Sequence, residues 1–325
     1  MAGDAAAVSG RRVSVVIPTF GKADLLAATL AALEAQSYPP DLTEVAVVDD
    51  CSPDRTGEML ASLAPRFALR RLRHDANRGR AAARNTGVRE ATGDLVVFLD
   101  DDMRADPRLI EEHVRFHAAH ARSAVIGNAL TAPELGRSLA LSYLDSRGVH
   151  KLAPGARAPA RYFLTNNSSV PRKALLDAGL FDETFLSYGF EDMDIAYRLE
   201  RDAGLSFWYC AEAAAYHIHH HTLDQLLAKR LESARSTLPQ LLRRHPDRVR
   251  DLSLELLLPP AAGDPPSLRA RKRILAALMA PPCEALARAL AMRLPPSGPA
   301  YVLLDYLVAC RYRRGLAETP PDATR

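Results

Sequence analysis

Residues 95–102 read Leu-Val-Val-Phe-Leu-Asp-Asp-Asp, an apolar run of strand length that stops abruptly in three carboxylates, Asp100, Asp101 and Asp102. A short apolar run bounded in this way predicts a strand buried on both faces. The same grammar recurs upstream. Val45 to Val48 ends in Asp49 and Asp50, and the β-branched run Val13 to Ile17 is stopped by Pro18. Between these runs lie helical patterns. Ala23 to Gln36 places Leu25, Leu26, Leu30 and Leu33 on one face, and Arg80 to Glu90 follows an Asn77-Arg78-Gly79 turn. Strands alternating with helices define an α/β chain built on a mainly parallel sheet. In such sheets ligands bind in the crevice outside the carboxyl ends of the strands, where these acids sit.

From Tyr162 the pattern changes. Short strands are expected over 162–165 and 172–178, then a helix over Phe190 to Arg201, then strands at Ser206–Cys210 and Ala213–His217. Leu223 to Arg244 reads as one long helix, and Pro-Pro breaks beyond it separate shorter ones. The expected organisation is a disordered start over 1–12, a catalytic domain over 13–222 and a helical C-terminal region over 223–325. The catalytic domain divides at 102 into a nucleotide-binding half (13–102) and an acceptor-binding half (103–222).

A chain of 325 residues with 48% hydrophobic and 25% charged residues is neither disordered nor fibrous. Its formal net charge of +3 is too small for a general nucleic-acid binder. That average conceals an asymmetry: residues 1–228 carry a net −5 and residues 229–325 a net +8. Cys51, Cys210, Cys283 and Cys310 show no paired spacing, which fits free thiols in a reducing compartment. With no signal-peptide pattern and no apolar run of membrane-span length, the expected location is the cytoplasm.

Carboxylates as closely spaced as Asp100 and Asp102 are hard oxygen ligands, suited to Mg²⁺ or Mn²⁺ bridging to a phosphate. Asp49 and Asp50 could accept hydrogen bonds from a base or ribose, while Asp54 or Ser52 could instead cap a helix before Arg55. Glu191, Asp192 and Asp194 fall in a first helical turn, where the macrodipole favours the ionised carboxylate that a general base requires. The bland alternative is a well-capped helix. In the run His217 to His221 one histidine could complete a metal shell, the others being partly exposed polar residues. Arg78, Arg80 and Arg84 could hold a diphosphate or pair with Glu90 and Asp94. Neither a dinucleotide fingerprint nor a P-loop is present.

Taken in order, these pieces resemble the family 2 inverting glycosyltransferases of the GT-A fold. The resemblance runs from Val13 to about His221. It rests on Val16-Ile-Pro-Thr19, on Val47-Val-Asp-Asp50 with Ser52 and Asp54, and on Asn77-x-Gly79 with Ala83-Arg84-Asn85-x-Gly87. It continues through Phe98-Leu-Asp-Asp-Asp102, Thr165-Asn-Asn167 and Gly179-x-Phe-Asp-Glu183. Glu191-Asp192-x-Asp194 with Arg198-Leu199, and His217, complete it. Cys51 stands where the family usually has glycine, and Phe20 where asparagine or tyrosine is frequent.

The resemblance implies a fold, a reaction and a set of roles. The fold is a Rossmann-like GT-A sheet flanked by helices. The reaction moves a sugar with inversion from a nucleoside-diphosphate donor, most often uridine-linked, to a glycan or lipid-linked acceptor hydroxyl. Pro18, Thr19, Asp49, Asp50, Arg84, Asp100 and Asp101 would contact the donor nucleotide. Asp100, Asp102 and His217 would bind a divalent metal, Mn²⁺ or Mg²⁺. Asp192 would be the catalytic base, and Asn167 and Glu191 would face the acceptor. A nucleotidyltransferase and a non-catalytic sugar-nucleotide-binding protein are the competing readings. Arginines beside apolar stretches in 268–314 suggest contact with an anionic membrane, on the inner face of the cell membrane, or packing on the catalytic domain or a second subunit.

Overall fold

The computed structural model describes residues 10–319. Of the start expected to be disordered over 1–12, residues 1–9 lie outside the described residues. Arg11 and Arg12 are built in, their carbonyls accepting from the Tyr38 hydroxyl at 2.7 Å and the Leu95 N–H at 3.3 Å.

In chain order the first elements are β1 (Val13–Thr19), α1 (Ala23–Glu34), β2 (Thr43–Asp49), α2 (Thr56–Ser62), β3 (Ala68–Arg73), α3 (Arg80–Glu90) and β4 (Leu95–Leu99). Then follow β5 (Met103–Ala105), α4 (Leu109–Ala119), β6 (Ser123–Thr131), α5 (Leu139–Leu144), β7 (Arg157–Ala158), β8 (Asn167–Pro171) and α6 (Arg172–Asp177). The last are α7 (Glu191–Arg201), β9 (Ser206–His217), α8 (Leu223–Arg235), α9 (Thr237–Arg244), α10 (Pro266–Leu278), α11 (Pro281–Ala291) and α12 (Gly298–Glu318).

Among the described residues nine strands form one sheet in the order β3-β2-β1-β4-β8-β6-β9-β5, with β7 also on β9. The strands β3, β2, β1 and β4 run parallel, whereas β8 is antiparallel to both β4 and β6. The expected halves 13–102 and 103–222 therefore share a single sheet. The apolar runs of β2 and β4 are buried along their whole length, as strands covered on both faces must be. Gly87 on α3 marks the closest helix–sheet approach: a Cβ there would lie 2.4 Å from Val16 Cγ1. With no side chain in the way, α3 settles onto β1, and Arg84 one turn earlier is carried over the sheet.

Several local expectations are corrected. Residues 162–165 are a 3-10 turn and loop rather than a strand, and pairing resumes only at Asn167. Residues 172–177 are the helix α6, of which only Leu175 is buried, so no two-residue alternation exists to make a strand. The two strands expected over 206–217 are one, β9, whose register against β6 slips between Gly127 and Asn128. The long helix expected over 223–244 breaks at Ser236. Pro239 excludes the carbonyl four residues back, at Arg235, where α8 ends.

The chain divides into two compact units. The first runs through Gly136 and takes in Asp145–Leu186 and Asp192–His220; the second comprises Arg137–Leu144, Ser187–Glu191 and the chain from His221 onward. The second unit is thus discontinuous in sequence. It is helical, with Ala140, Tyr143, Leu223, Leu227, Ala291, Leu304 and Leu307 in its core. The Tyr143 hydroxyl donates to Asp305 at 2.7 Å, and buried Glu284 receives Arg311 and Arg314 at 2.5 and 2.6 Å.

Inside the first unit a polar chain crosses from α4 to the sheet. His113 Nε2 donates to Asn167 Oδ1 at 2.9 Å, and its Nδ1 lies 2.8 Å from the Ser169 hydroxyl. His117 Nε2 meets the same hydroxyl at 2.9 Å. Burial pushes His113 down to about 4 and His117 down to about 3. Both are neutral in the native protein, while an unfolded histidine takes up its proton near pH ~6.5. Below that value the unfolded state binds more protons, so stability falls as pH falls, and for His113 the loss continues until about pH 4. The unfolding free energy from urea titrations should drop between pH 7.5 and 5, by up to about 1.4 kcal/mol per pH unit for each histidine. A flat stability profile across that interval would contradict the neutral-histidine network.

Candidate active site

The exit of β4 is where the chain concentrates charge. Asp101 and Asp102 are buried, and Asp100 is half-buried. The Lys22 ammonium, just past β1, sits between the first two, 2.8 Å from Asp101 Oδ1 and 3.1 Å from Asp102 Oδ2. The Thr19 hydroxyl donates to Asp101 Oδ2 at 2.8 Å. Burial opposes the charge on Lys22, but the two carboxylates outweigh it and raise its pKa. Burial pushes Asp101 up to about 6 despite the ammonium beside it. Burial also works against Asp102, yet His217 and then Lys22 hold its carboxyl well below the ordinary range. Of these adjacent acids, Asp102 is the firmly ionised one.

His217 closes β9 and pairs in register with Met103, which brings its ring to the same strand end. His217 Nδ1 is 3.6 Å from Asp102 Oδ1, and its Nε2 is 3.3 Å from the Asn166 amide nitrogen. Two ligands of one ion at roughly 2.1 Å can span such a separation. Among the described residues no three His, Cys, Asp or Glu side chains converge on a common point. Asp100, expected as a third ligand, turns instead to Arg84, with Nη2 to Oδ1 at 3.3 Å. The protein thus offers a carboxylate and an imidazole, a partial shell of the kind that Mg²⁺ or Mn²⁺ fills with water and substrate phosphate.

Arg84 is the second cation of the site. Its side chain is only 4% exposed, and it reaches Asp100 on one side and Asp192 on the other, at 3.6 Å. Of the arginines that could hold a diphosphate or pair with Glu90 and Asp94, Arg84 turns inward and Arg78 turns to Glu183 at 2.9 Å. Phe190, in the left-handed region with φ of +71°, turns the chain sharply into α7. Asp192 in its first turn accepts from the Thr165 hydroxyl at 2.8 Å. Asp194, fully buried, is spent on Arg198 at 2.7 Å. The helix therefore divides its acids: Asp194 is structural and Asp192 faces the Arg84 guanidinium.

Other expected site residues stand differently. Asn167 does not face an acceptor. It is fully buried, donates to the Ala213 carbonyl at 2.8 Å, accepts from His113, and lies where a Cβ on Gly127 would sit, 2.4 Å away. Glu191 is also buried. Pro18 and Thr19 close β1 beside Val48 and Asp49. The Asp49 and Asp50 carboxylates, expected as open acceptors, brace loops instead. Asp49 takes the Ser52 N–H at 2.7 Å and the Arg73 guanidinium. Asp50 takes the N–H groups of Arg78 and Gly79, at 2.9 and 2.8 Å, and the His74 ring at 2.6 Å. Asp54 receives the N–H of Thr56 and also that of Ala23, the first residue of α1. Lys22 and Thr165 were not singled out by sequence reasoning. The available signal for Lys22 was the need of buried acids for a counter-charge.

A half-parallel sheet with acids at its strand ends, and a second half carrying a helix-borne carboxylate and a strand-end histidine, is the architecture of a GT-A glycosyltransferase. A mannosyltransferase from Pyrobaculum calidifontis, solved with GDP-mannose and Mn²⁺, superposes with a TM-score of 0.62, 24% identity and coverage of 93% of this chain and 87% of that one. Staphylococcus aureus TarS 1–349 with UDP gives 0.56 at 18% identity, covering 94% and 90%. Both share the fold. The model of glycosyl transferase family 2 matches residues 14–177, just over half of the chain, and the chain belongs to that family. It is 31% identical over 257 residues to the uncharacterized glycosyltransferase YfnE of Bacillus subtilis, covering 64% of this chain and 65% of YfnE. The chain spans about half the length of the next curated relatives it matches, 47% and 51%.

Cys51 explains itself in this loop. Its φ is +66°, the left-handed region, which is why glycine is frequent at this place. A side chain there costs roughly 1–2 kcal/mol, part of which a glycine returns as unfolded-state entropy. Cys51→Gly should raise the urea stability by about 0.5–1 kcal/mol. A loss of stability would show that the thiol's 3.5 Å contact with the Asp75 carbonyl outweighs the backbone strain.

Proposed function

We propose that the protein transfers a sugar from a nucleoside-diphosphate donor to an acceptor hydroxyl in one inverting displacement, supported by a divalent cation. The observation that carries this reading is the buried Arg84 guanidinium, which lies 3.3 Å from Asp100 at the end of β4 and 3.6 Å from Asp192 in the first turn of α7. The donor nucleoside, proposed as uridine, lies at the ends of β1 and β2, where Pro18, Thr19, Asp49 and Asp50 shape the loops. Asp102 and His217 are the residues that would hold Mn²⁺ or Mg²⁺, which supplies charge compensation for the leaving diphosphate when bound.

Asp192 accepts the proton of the acceptor hydroxyl. The oxygen then forms its bond to the anomeric carbon, opposite the bond that breaks to the diphosphate, which leaves with the electron pair. A single displacement inverts configuration. The Thr165 hydroxyl donates to the Asp192 carboxylate and the Arg84 guanidinium faces it, which fixes the position of the group proposed to take the proton. Arg84 lies next to Asp100 as well, within reach of the growing charge on the departing phosphate. Glycan synthesis at the cell envelope fits this chemistry, and the acceptor is a glycan or a lipid-linked sugar.

Donor hydrolysis and transfer across UDP- and GDP-sugars with Mn²⁺ tests the reading. Sugar release from one donor class supports it, and pyrophosphate release or binding alone would contradict it. Asp192→Asn should lower transfer by roughly 10²- to 10⁴-fold while leaving donor affinity unchanged by calorimetry. Transfer at the wild-type rate in this variant would remove Asp192 from the role of base.

A further inference from the structure

The C-terminal unit carries a surface that the transfer reaction does not use. Helices α10 and α11 meet at a bend of 58°, and together they have the length and apolar content of a membrane span. Each alone falls short of the ~20 residues that crossing requires. Among the described residues no single helix is long and apolar enough to cross. Their outer side is apolar at helical spacing. Ile274 and Leu278 stand one turn apart on α10, and Leu286, Leu290 and Leu294 follow at successive turns along and past α11. Ile274 and Leu286 are about three-fifths exposed, at 61% and 62%, and Met292 adds a further open apolar side chain.

The exposed charge carried by these two helices and the turn after them has one sign. Arg271, Arg273 and Arg293 are exposed beside the apolar ridge. Glu284, the only acid in residues 265–294, is buried and neutralised by Arg311 and Arg314. Lys272 is turned inward to Asp264 at 2.7 Å and Arg288 is paired with Asp224, also at 2.7 Å. An apolar ridge flanked by arginines, where the neighbouring exposed acid Asp224 is already paired with Arg288, suits the boundary between acyl chains and anionic headgroups. A second copy fits poorly, because a two-fold contact through this face would set arginine against arginine.

We propose that α10, α11 and the turn after them dock the protein on an anionic bilayer. The bent pair lies in the interface plane: Ile274, Leu278, Leu286 and Leu290 enter the acyl boundary, and Arg271, Arg273 and Arg293 meet lipid phosphates. This goes beyond the proposed transfer activity and does not depend on it, since the docking is measured without donor.

The test is sedimentation of the full chain with vesicles of phosphatidylcholine alone or with about one-third phosphatidylglycerol, at low and high salt. The expected result is association with the anionic vesicles only, weakened by salt. Leu286→Asp with Leu290→Asp should weaken it at least tenfold, and Arg271→Ser, Arg273→Ser and Arg293→Ser together should erase the preference for anionic lipid. Donor hydrolysis in solution should stay unchanged in both variants, which also reports that they fold. Absence of vesicle binding by the unmodified protein at low salt would overturn the proposal, as would undiminished binding by the aspartate variant. A concentration-dependent dimer that the aspartate pair makes monomeric would assign the face to a second copy and overturn it as well.

Discussion

Three carboxylates at the end of a buried strand are unfavourable unless cations meet them, and the first unit is arranged around that need. Charges taken from water cost several kcal/mol each unless paired and hydrogen-bonded. The chain brings two cations from distant places: Lys22 from the loop after β1 and Arg84 from the middle of α3. Lys22 can reach because the parallel pairing of β1 with β4 sets the two strand ends side by side. Arg84 can reach because Gly87 lets its helix settle on the sheet. Removing either cation would leave like charges facing one another in poorly solvated surroundings.

The same pairing reaches further. Arg84 does not stop at the strand end but continues to Asp192, so the acids of β4 and the carboxylate at the start of α7 are joined by one guanidinium. Lys22 occupies a position between carboxylates that a divalent ion could share when a diphosphate arrives. The burial that raises Asp101 and the partners that lower Asp102 split two adjacent acids into a reluctant and a ready anion.

Much of this was legible in residues 13–102. The strand runs ending in acids, the helix over 80–90 and the histidine at 217 all occur where the pattern placed them. What the pattern missed were facts of three dimensions. The burial of Asn167 follows from a glycine on another strand and a histidine on a helix, neither of which is near it in sequence. Asp49 and Asp50 look like open acceptors until the loops that fold over them are seen to use their oxygens. The helix break at Ser236 was readable, since Pro239 forbids the carbonyl of Arg235, but a strong apolar spacing hid it. Asp100 looked like a metal ligand because its neighbour Asp102 did. Its contact with Arg84 was not readable in the sequence.

The proposed transfer requires the carboxyl end of β4 to receive a divalent ion with the donor diphosphate, where Lys22 now sits between Asp101 and Asp102. Anomalous diffraction at the manganese edge, from crystals soaked with Mn²⁺ and a nucleoside diphosphate, tests it most directly. One peak is expected within bonding distance of Asp102 Oδ1 and His217 Nδ1, with the Lys22 amine withdrawn from Asp102. A bound nucleotide with Lys22 still on Asp102, and no peak between Asp102 and His217, would contradict it.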